Sequence, residues 1–271
     1  MEFPKGVTQL DTLKRCGVKL FKKLVVPALY NGISSLDSGS NMLVLNYGYD
    51  DGQEIPLDSA ERPLRYRLAM YHHVVNAVDI FGKDVLEVSS GRGGGAAYIA
   101  RHFQLRSLRG IDLSPKAVQF CRTNYSVPRL AFSVGDAENL DSKDSSYDVV
   151  INIEASHNYP DQERFFREVY RVLRPGGFFL YADLRYTDKM AALRNSLASS
   201  GLIIVKEEDI TANVLSALNK DNDYKKDVIE SRVPRFVRGL FATFAGMKGT
   251  RFYKGLQSGD LSYFNLLLQK E

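Results

Sequence analysis

Short apolar runs rich in β-branched residues alternate with longer segments of helical period from residue 84 to the end of the chain. Runs of the first kind predict strands, and their alternation with helical segments is typical of a parallel sheet covered by helices on both faces. The predicted strands are 84–89, 107–112, 130–135, 147–153, 177–184, 202–208 and 262–269. The predicted helices are 94–103, 115–125, 161–173 and 187–200. We therefore expect an α/β fold with a doubly wound, mostly parallel sheet.

Two helix boundaries carry local signals. Ser114 precedes Pro115, which predicts an N-cap followed by proline at the first helical position. The sequence LRPGG at 173–177 predicts that glycines close the preceding helix. A further amphipathic helix is predicted over 231–245, between the sixth and seventh strands. It would form a helical lid over the open end of the sheet, where doubly wound folds bind their ligands.

These elements predict a division of the chain into four parts. Residues 1–80 form an N-terminal helical cap and lid with an apolar stripe at 10–24, and residues 81–209 form the ligand-binding core. Residues 210–258 form a helical lid insertion, and residues 259–271 contain the last core strand. The segment NYGYDDGQE at 46–54 is predicted to be a solvated loop leading to the lid.

Composition and charge narrow the class of protein. The chain has 271 residues, of which 44% are hydrophobic, and no apolar run long enough to span a bilayer, so a soluble cytoplasmic protein is expected. Six basic and two acidic residues lie in 1–30, and nine basic and four acidic residues lie in 220–254. These flanks are either solvated helix faces or contacts to an anionic membrane surface. No nucleic-acid recognition motif is present.

The sequence VLEVSSGRGGG at 85–95 follows the first predicted strand. From Gly91 the spacing reads G-x-G-x-x-A through Gly93 and Ala96, and an acid follows at Asp112, which satisfies a loose dinucleotide fingerprint. Glu87 stands inside the strand end, four residues before the first glycine, where its carboxylate would repel a pyrophosphate. A ligand that brings a cation to this turn suits the sequence better.

The ends of the second and third strands specify the rest of this ligand. Asp112 is placed to accept two ribose hydroxyls, and Leu113 would cover the face of a base. In GDAENL at 135–140, Asp136 and Ala137 would hydrogen-bond an adenine amine. The ligand has an adenosine half and a positively charged half without phosphate between them, and S-adenosylmethionine fits that description.

The motifs EVSSGRGGG, GIDLS, GDAENL, YDVVINIEASH and VYRVLRPGGFF resemble those of the class I S-adenosylmethionine-dependent methyltransferases from Glu87 to the C-terminus. More closely, NYGYDD, MYHHV, EASHNYP, VLRPGGFFLYADLR and GDLSY resemble the mycobacterial phthiotriolone and phenolphthiotriolone dimycocerosate methyltransferases and the sugar O-methyltransferases of glycopeptidolipids. The resemblance implies a seven-stranded sheet of order 3-2-1-4-5-7-6. It places the cofactor at the carboxyl ends of strands one and four.

S-adenosylmethionine is the implied cofactor and S-adenosylhomocysteine its product. Ser89 stands where the family often has a glycine, whereas the two later glycines are kept. The residues expected to bind the cofactor are Glu87, Ser89, Gly91, Gly93, Asp112, Leu113, Asp136, Ala137, Glu138, Asn152 and Glu154.

A candidate catalytic pair stands at the ends of the fourth and fifth strands. His157 lies in EASH, and Asp183 lies in YADLR twenty-six residues later. A carboxylate that orients an imidazole holds one tautomer and stabilises the imidazolium formed when a proton is abstracted. The two residues resemble a pair in sugar O-methyltransferases of the rebeccamycin type. A different interpretation makes Glu154, His157 and Asp183 ligands of Mg²⁺, with waters completing its shell.

The expected function is transfer of a methyl group to a hydroxyl of an apolar polyketide, glycolipid or sugar, with His157 as general base oriented by Asp183. The alternatives are methylation at carbon or nitrogen, for example of a quinone or an amine, and a non-catalytic module that binds the cofactor or a lipid surface. A small molecule or lipid is the expected partner, and the chain is a monomer or a homodimer. The residues expected to line the acceptor side are Tyr47, Tyr49, His72, Phe241 and Phe244.

Overall fold

The computed structural model describes residues 43–233 and 235–271, with Arg232 and Leu240 described by their backbone alone. Its sheet has seven strands in the order β3-β2-β1-β4-β5-β7-β6, which confirms the implied topology. The strands are β1 (Asp84–Val88), β2 (Ser107–Asp112), β3 (Leu130–Val134), β4 (Tyr147–Ile153), β5 (Leu173–Tyr186), β6 (Leu202–Asp209) and β7 (Leu261–Lys270). All pairs among strands β1 to β5 are parallel. Strand β7 runs antiparallel to both of its neighbours, β5 and β6.

Helices cover both faces of the sheet, as the alternation along the sequence predicts. The α-helices are α1 (Arg65–Val75), α2 (Gly94–His102), α3 (Pro115–Asn124), α4 (Gln162–Val172), α5 (Met190–Ser199), α6 (Thr211–Lys220), α7 (Asn222–Arg232), α8 (Arg238–Phe244) and α9 (Arg251–Ser258). Single 3₁₀ turns lie at Arg62–Leu64, Ser156–Asn158, Thr187–Lys189 and Arg235–Val237.

Burial follows each strand's place in the sheet. In β4, at the centre, all residues but one are buried, which is the continuous burial expected of a strand covered on both faces. In β6, at the edge, only Leu202 is fully buried, and the strand carries charged residues on its outer positions. Cys121, on α3, is a free thiol buried in the core among apolar side chains.

The start of α3 confirms one predicted boundary, whereas the end of α4 differs from the other. The Ser114 hydroxyl accepts a hydrogen bond from the backbone N–H of Ala117, and Pro115 opens the helix. Helix α4, by contrast, ends at Val172, and Leu173 already pairs with Tyr147 as the first residue of β5. The glycines of LRPGG therefore bend the start of a strand instead of capping a helix.

The predicted lid helix over 231–245 is broken in the structure. Helix α7 ends at Arg232, Val233 is extended, and a 3₁₀ turn and then α8 follow. The sequence has a proline after Val233, and the residue before a proline is disfavoured in the helical region. Helices α6 to α9 thus lie between β6 and β7 as separate short pieces. Among the described residues, none of the helices combines the length and the apolarity that a membrane crossing requires.

The predicted apolar stripe at 10–24 lies outside the described residues, as does Cys16. The described part of the predicted N-terminal region forms an extended segment at 43–57 and helix α1. The division into four parts, which no observation tests, stays a prediction.

Candidate active site

The carboxyl ends of β1 to β5 meet at one edge of the sheet, and a cavity opens there between the loops that follow β1, β2, β3 and β4. Most of the residues expected to bind the cofactor line this cavity. They are Ser89, Gly91, Asp112, Leu113, Asp136, Ala137, Glu138 and Glu154. Glu87, Gly93 and Asn152 belong to the same loops and strand ends without lining it.

The backbone segment Leu43 to Leu45 forms another part of the cavity wall, together with Asn158, Tyr159 and Pro160. The sequence carried no signal for the first of these, because an apolar segment forty residues before β1 is brought to the sheet only by tertiary packing. Tyr159 and Asn158 belong to the loop whose sequence predicted His157 as the site residue.

Gly91 is the glycine of the turn that faces the cavity. It has a positive φ of 55°, and a Cβ placed there would meet nothing within 4 Å. Its N–H donates to Oδ2 of Asp112 at 2.9 Å. Gly93 also has a positive φ, but a Cβ there would come within 2.7 Å of the Phe132 ring. Open space for a ligand therefore exists beside Gly91, whereas the space beside Gly93 is occupied by protein side chains.

The last two glycines of the run make room for parts of the chain outside the sheet. A Cβ on Gly94 would lie 2.6 Å from the backbone oxygen of Leu43, and one on Gly95 would lie 1.9 Å from the ring of Tyr71. The N–H of Gly94 also donates to that Leu43 oxygen. The glycine run thus leaves open space at Gly91 and admits protein atoms at its other three glycines, so Gly93, expected to bind the cofactor, is among those that face the protein.

Glu87 is a buried carboxylate with one oxygen unsatisfied. The Tyr71 hydroxyl donates to its Oε1 at 2.7 Å, and Oε2 has no hydrogen-bond partner among the described residues. Burial raises the pKa of Glu87 to about 7, opposed by the Tyr71 hydrogen bond and reinforced by the charge of Asp112. A buried carboxylate oxygen without a partner is costly, and a cation would satisfy it.

Asp112 and the loop after β2 fit the adenosine half of the ligand. Oδ2 of Asp112 accepts from the backbone N–H of Gly91, and Oδ1 accepts from that of Ser114. Each oxygen keeps a lone pair that can accept from a ribose hydroxyl. Burial raises the pKa of this carboxyl, although the two N–H bonds oppose the shift. Leu113 is 48% exposed in the cavity wall, where an apolar side chain suits the face of a base.

Ser89, whose effect the sequence left open, adopts the left-handed conformation that a glycine usually supplies, with φ at 61°. Its hydroxyl shares a hydrogen bond of 2.5 Å with the hydroxyl of Tyr159. Tyr159 also accepts from the amide of Asn152 at 3.0 Å. The serine therefore links the loop after β1 to the loop after β4, which a glycine would leave unconnected.

Glu154 follows β4 with a positive φ of 50° and lies in the cavity wall. Its Oε1 accepts from the backbone N–H of Tyr47 and from the Tyr263 hydroxyl, both at 2.6 Å. Burial raises its pKa to about 8; the two hydrogen bonds and the charge of Lys225 oppose that shift. The Tyr47 ring stacks on Phe252 of α9 at 4.1 Å, so Glu154 is connected to the lid helices.

His157 and Asp183 lie in contact at the ends of the neighbouring strands β4 and β5, with Nδ1 2.6 Å from Oδ1. Asp183 is completely buried, and its oxygens accept five hydrogen bonds or ion-pair contacts. The donors are the His157 ring, the backbone N–H groups of His157 and Leu184, the Ser156 hydroxyl and the Arg185 guanidinium. Ser156 and Arg185 are parts of this group that the sequence did not reveal.

The protonation of the pair follows from these donors. Burial raises the pKa of Asp183, but the charges of His157 and Arg185 outweigh it and hold this pKa well below its usual range. An ionised Asp183 can only accept, so Nδ1 of His157 carries a hydrogen. The side-chain amide of Asn158 lies 2.8 Å from Nε2 and donates to it. His157 itself does not line the cavity, whereas Asn158 does.

The alternative metal site is not supported. Glu154, His157 and Asp183 do not bring three ligand atoms within reach of one ion. Within residues 43–233 and 235–271, ligand atoms that do lie within 4.8 Å of one another belong to Asp58, Glu61 and His102, far along the chain from this site. Because Asp183 is occupied by five donors, its oxygens have no capacity left for a cation.

The residues expected on the acceptor side are dispersed. Tyr49 stacks on His73 at 4.1 Å, and His72 bonds the Tyr98 hydroxyl and Asn76, so the structure brings neither Tyr49 nor His72 to the cavity. Phe241 and Phe244 are half-buried on α8 and do not line it either.

The segment at 46–54 is not wholly the solvated loop that was predicted. Asp50 is buried, and its carboxylate accepts from Ser216 and pairs with Lys220, both on α6. A hydroxyl and an ammonium offset the cost of burying this charge. Asp51 and Glu54, in contrast, are exposed.

A doubly wound sheet with a glycine turn after strand one, an acid at the end of strand two and a buried carboxylate oxygen without a partner among the described residues fits a methyltransferase of the S-adenosylmethionine-dependent class. A family model described as a methyltransferase domain matches residues 86–181. The phthiotriol/phenolphthiotriol dimycocerosates methyltransferase of Mycobacterium tuberculosis is 40% identical over 224 residues, covering 82% of this chain and 83% of that protein. The chain therefore belongs to the class I S-adenosylmethionine-dependent methyltransferases.

Two further comparisons agree. The fatty-acid O-methyltransferase of Mycolicibacterium smegmatis is 35% identical over 225 residues, covering 82% of this chain and 81% of that protein. The crystal structure of geranyl diphosphate C-methyltransferase from Streptomyces coelicolor A3(2) contains S-adenosyl-L-homocysteine. It is 14% identical, covers 88% of this chain and 96% of its own, and superposes with a TM-score of 0.64, which supports the fold.

Substitution of two glycines by alanine separates their roles. Gly95→Ala is expected to lower the free energy of unfolding by about 2 kcal/mol, because its Cβ would overlap the Tyr71 ring. Gly91→Ala is expected to cost about 1 kcal/mol for its left-handed backbone, and to weaken S-adenosylhomocysteine binding because its Cβ enters the cavity. Denaturant unfolding and calorimetry measure the two effects. A Gly95→Ala protein as stable as the wild type, or a Gly91→Ala protein with unchanged cofactor affinity, would contradict this assignment.

Cofactor binding is expected to release a proton from Glu87 near neutral pH. The raised pKa of Glu87, about 7, means that the carboxyl is largely protonated at pH 6 and ionised at pH 8, and a cation prefers the ionised form. Affinity for S-adenosylmethionine should therefore rise with pH across this range. Calorimetry in two buffers of different ionisation enthalpy counts the protons. Glu87→Gln is the control, and an identical proton count in both proteins would refute the role of Glu87.

Proposed function

We propose that this methyltransferase transfers a methyl group to a hydroxyl of an apolar lipid, with His157 as general base and Asp183 as the residue that orients it. The observation that carries the proposal is the 2.6 Å contact between Nδ1 of His157 and a carboxylate that is buried and ionised. An imidazole held in this way keeps its lone pair on Nε2, which is the atom that must accept a proton.

The relatives support a lipid as the acceptor. One of them is named for phthiotriol and phenolphthiotriol dimycocerosates, and another is named for fatty acids. The lid of this chain adds aromatic side chains at Phe241, Phe244 and Phe252, which are suited to an apolar acceptor whether they line its path directly or pack beneath it.

In the proposed reaction, S-adenosylmethionine supplies a methyl carbon made electrophilic by its positive sulfur. The chain's own part is to hold the acceptor hydroxyl against Nε2 of His157 and to take its proton as the oxygen–carbon bond forms and the methyl–sulfur bond breaks, which leaves S-adenosylhomocysteine. Asp183 stabilises the resulting imidazolium through its charge and through Nδ1–H. The hydroxyl must replace the Asn158 amide, which donates to Nε2 in this structure.

The cofactor contacts belong to the same proposal. Glu87 would receive the positive charge of the methionine half, Asp112 the ribose, and Asp136 with Ala137 the adenine amine. Ser89 would act indirectly, by fixing Tyr159 in the cavity wall. Methylation at a carbon or nitrogen that carries no acidic proton is not favoured, because it would leave the His157–Asp183 pair without a role.

Replacing His157 distinguishes the proposed chemistry from simple cofactor binding. His157→Ala is expected to lower kcat for a long-chain alcohol by about 10²–10⁴-fold. The dissociation constant for S-adenosylhomocysteine should stay unchanged, because His157 does not line the cavity. Transfer of labelled methyl from S-adenosylmethionine gives kcat, and calorimetry gives the dissociation constant.

A long-chain fatty acid and a second histidine provide the controls. A carboxylate acceptor has no proton to lose, so any transfer to the fatty acid should be insensitive to His157→Ala. His102→Ala replaces a histidine that pairs with Glu61 outside the cavity lining, and it should leave kcat for the alcohol unchanged. Wild-type turnover of the alcohol by His157→Ala would remove the proposed base.

A further inference from the structure

Residues 231–258, which we call the lid tip, contain six basic side chains and no acidic one. The acids of the lid insertion all precede it. The basic residues are Arg232, Arg235, Arg238, Lys248, Arg251 and Lys254. Such a one-signed segment is unusual on a surface whose other parts carry both signs of charge, and it indicates an anionic partner.

The basic side chains are mostly directed to solvent. Arg235, Lys248, Arg251 and Lys254 are exposed, whereas Arg238 is used internally, because its guanidinium donates to the backbone oxygens of Val233 and Glu230. No ion pair joins an exposed member of this set to an acid within the described part of the chain. Four positive charges are therefore available to a partner.

An aromatic side chain projects from the same segment. Phe236, in the 3₁₀ turn Arg235–Val237, is 90% exposed, more than the other large hydrophobic side chains exposed in the described residues. Its neighbour Arg235 is exposed as well. A solvent-exposed phenylalanine among cations is the arrangement by which proteins enter the boundary between lipid headgroups and acyl chains.

The lid tip is part of an insertion that leaves the sheet at the carboxyl ends of the strands, where the cavity opens. The insertion leaves β6 after Asp209 and returns at Leu261, and these positions pair with the ends of their neighbouring strands at the carboxyl edge. Phe252 of the lid tip stacks on Tyr47, whose backbone N–H donates to Glu154 in the cavity wall. A surface bound by the lid tip would therefore lie on the side from which an apolar acceptor enters.

We propose that the lid tip docks on an anionic lipid surface, with Phe236 inserted among the acyl chains and Arg235, Lys248, Arg251 and Lys254 against the lipid phosphates. The lipid surface is favoured over a nucleic acid because the most exposed group is an apolar ring with cations beside it. The proposal goes beyond the proposed function, since docking needs neither a methyl acceptor nor the His157–Asp183 pair.

The absence of tryptophan from the sequence allows a direct test. Phe236→Trp places a single tryptophan at the lid tip, and Phe81→Trp is the matched control, because Phe81 is 66% exposed just before β1 at the opposite edge of the sheet. Vesicles of phosphatidylcholine with phosphatidylglycerol should shift the emission of Phe236→Trp to shorter wavelength, and brominated acyl chains should quench it. Emission of Phe81→Trp should not change.

Charge is tested by flotation of the otherwise unchanged protein with the same vesicles. Lys248→Glu should reduce the floated fraction, whereas Lys83→Glu, an exposed lysine beside Phe81, should not. Binding should also be lost with phosphatidylcholine alone and weakened by salt. Each variant is first checked for wild-type affinity for S-adenosylhomocysteine, which shows that its core is folded.

Two results would overturn the proposal. In one, the emission of Phe236→Trp is unchanged by anionic vesicles, or changes no more than that of Phe81→Trp. In the other, the emission shifts with protein concentration in the absence of vesicles, which would assign the lid tip to a contact between two copies of the chain. Because none of these readouts requires turnover, their outcome is independent of whether His157 is the general base.

Discussion

The contact between Tyr71 and the start of α2 is the constraint on which the cofactor site depends. The ring lies where a Cβ of Gly95 would be, and its hydroxyl donates to Glu87. Tyr71, from α1, thus packs against helix α2 after the glycine turn and also holds the Glu87 carboxylate before that turn. Among the described residues the other Glu87 oxygen has no hydrogen-bond partner, and an unpaired buried carboxylate oxygen is costly unless a cation binds it.

Asp183 has the corresponding position in the proposed catalytic pair. A carboxylate with five donors is held firmly and stays ionised, which fixes the tautomer of His157. The Arg185 guanidinium that helps to hold it also neutralises part of the charge that would stabilise an imidazolium. In the proposed reaction Arg185 would therefore help to orient Asp183 while weakening the stabilisation of an imidazolium.

The segment at 43–50 connects these two halves to the lid. Leu43 contacts the glycine turn, Tyr47 bonds Glu154 and stacks on Phe252, and Asp50 binds α6. The cofactor cavity, the acceptor side and the lid helices therefore share one short stretch of chain. A lid held in this way can present the lid tip to a lipid surface while the residues that contact the segment at 43–50 remain packed against the site.

The sequence by itself determined the strand limits to within a few residues and eight of the residues that line the cavity, because period, glycine spacing and strand-end acids are local signals. The strand order followed from the resemblance of its motifs to a known family. The sequence did not determine that three of the glycines in the run admit protein atoms, that Ser156 and Arg185 complete the surroundings of Asp183, or that Asp50 is buried. Each of these depends on residues distant in the chain, and a contact between such residues is decided only when the sheet and its helices are packed together.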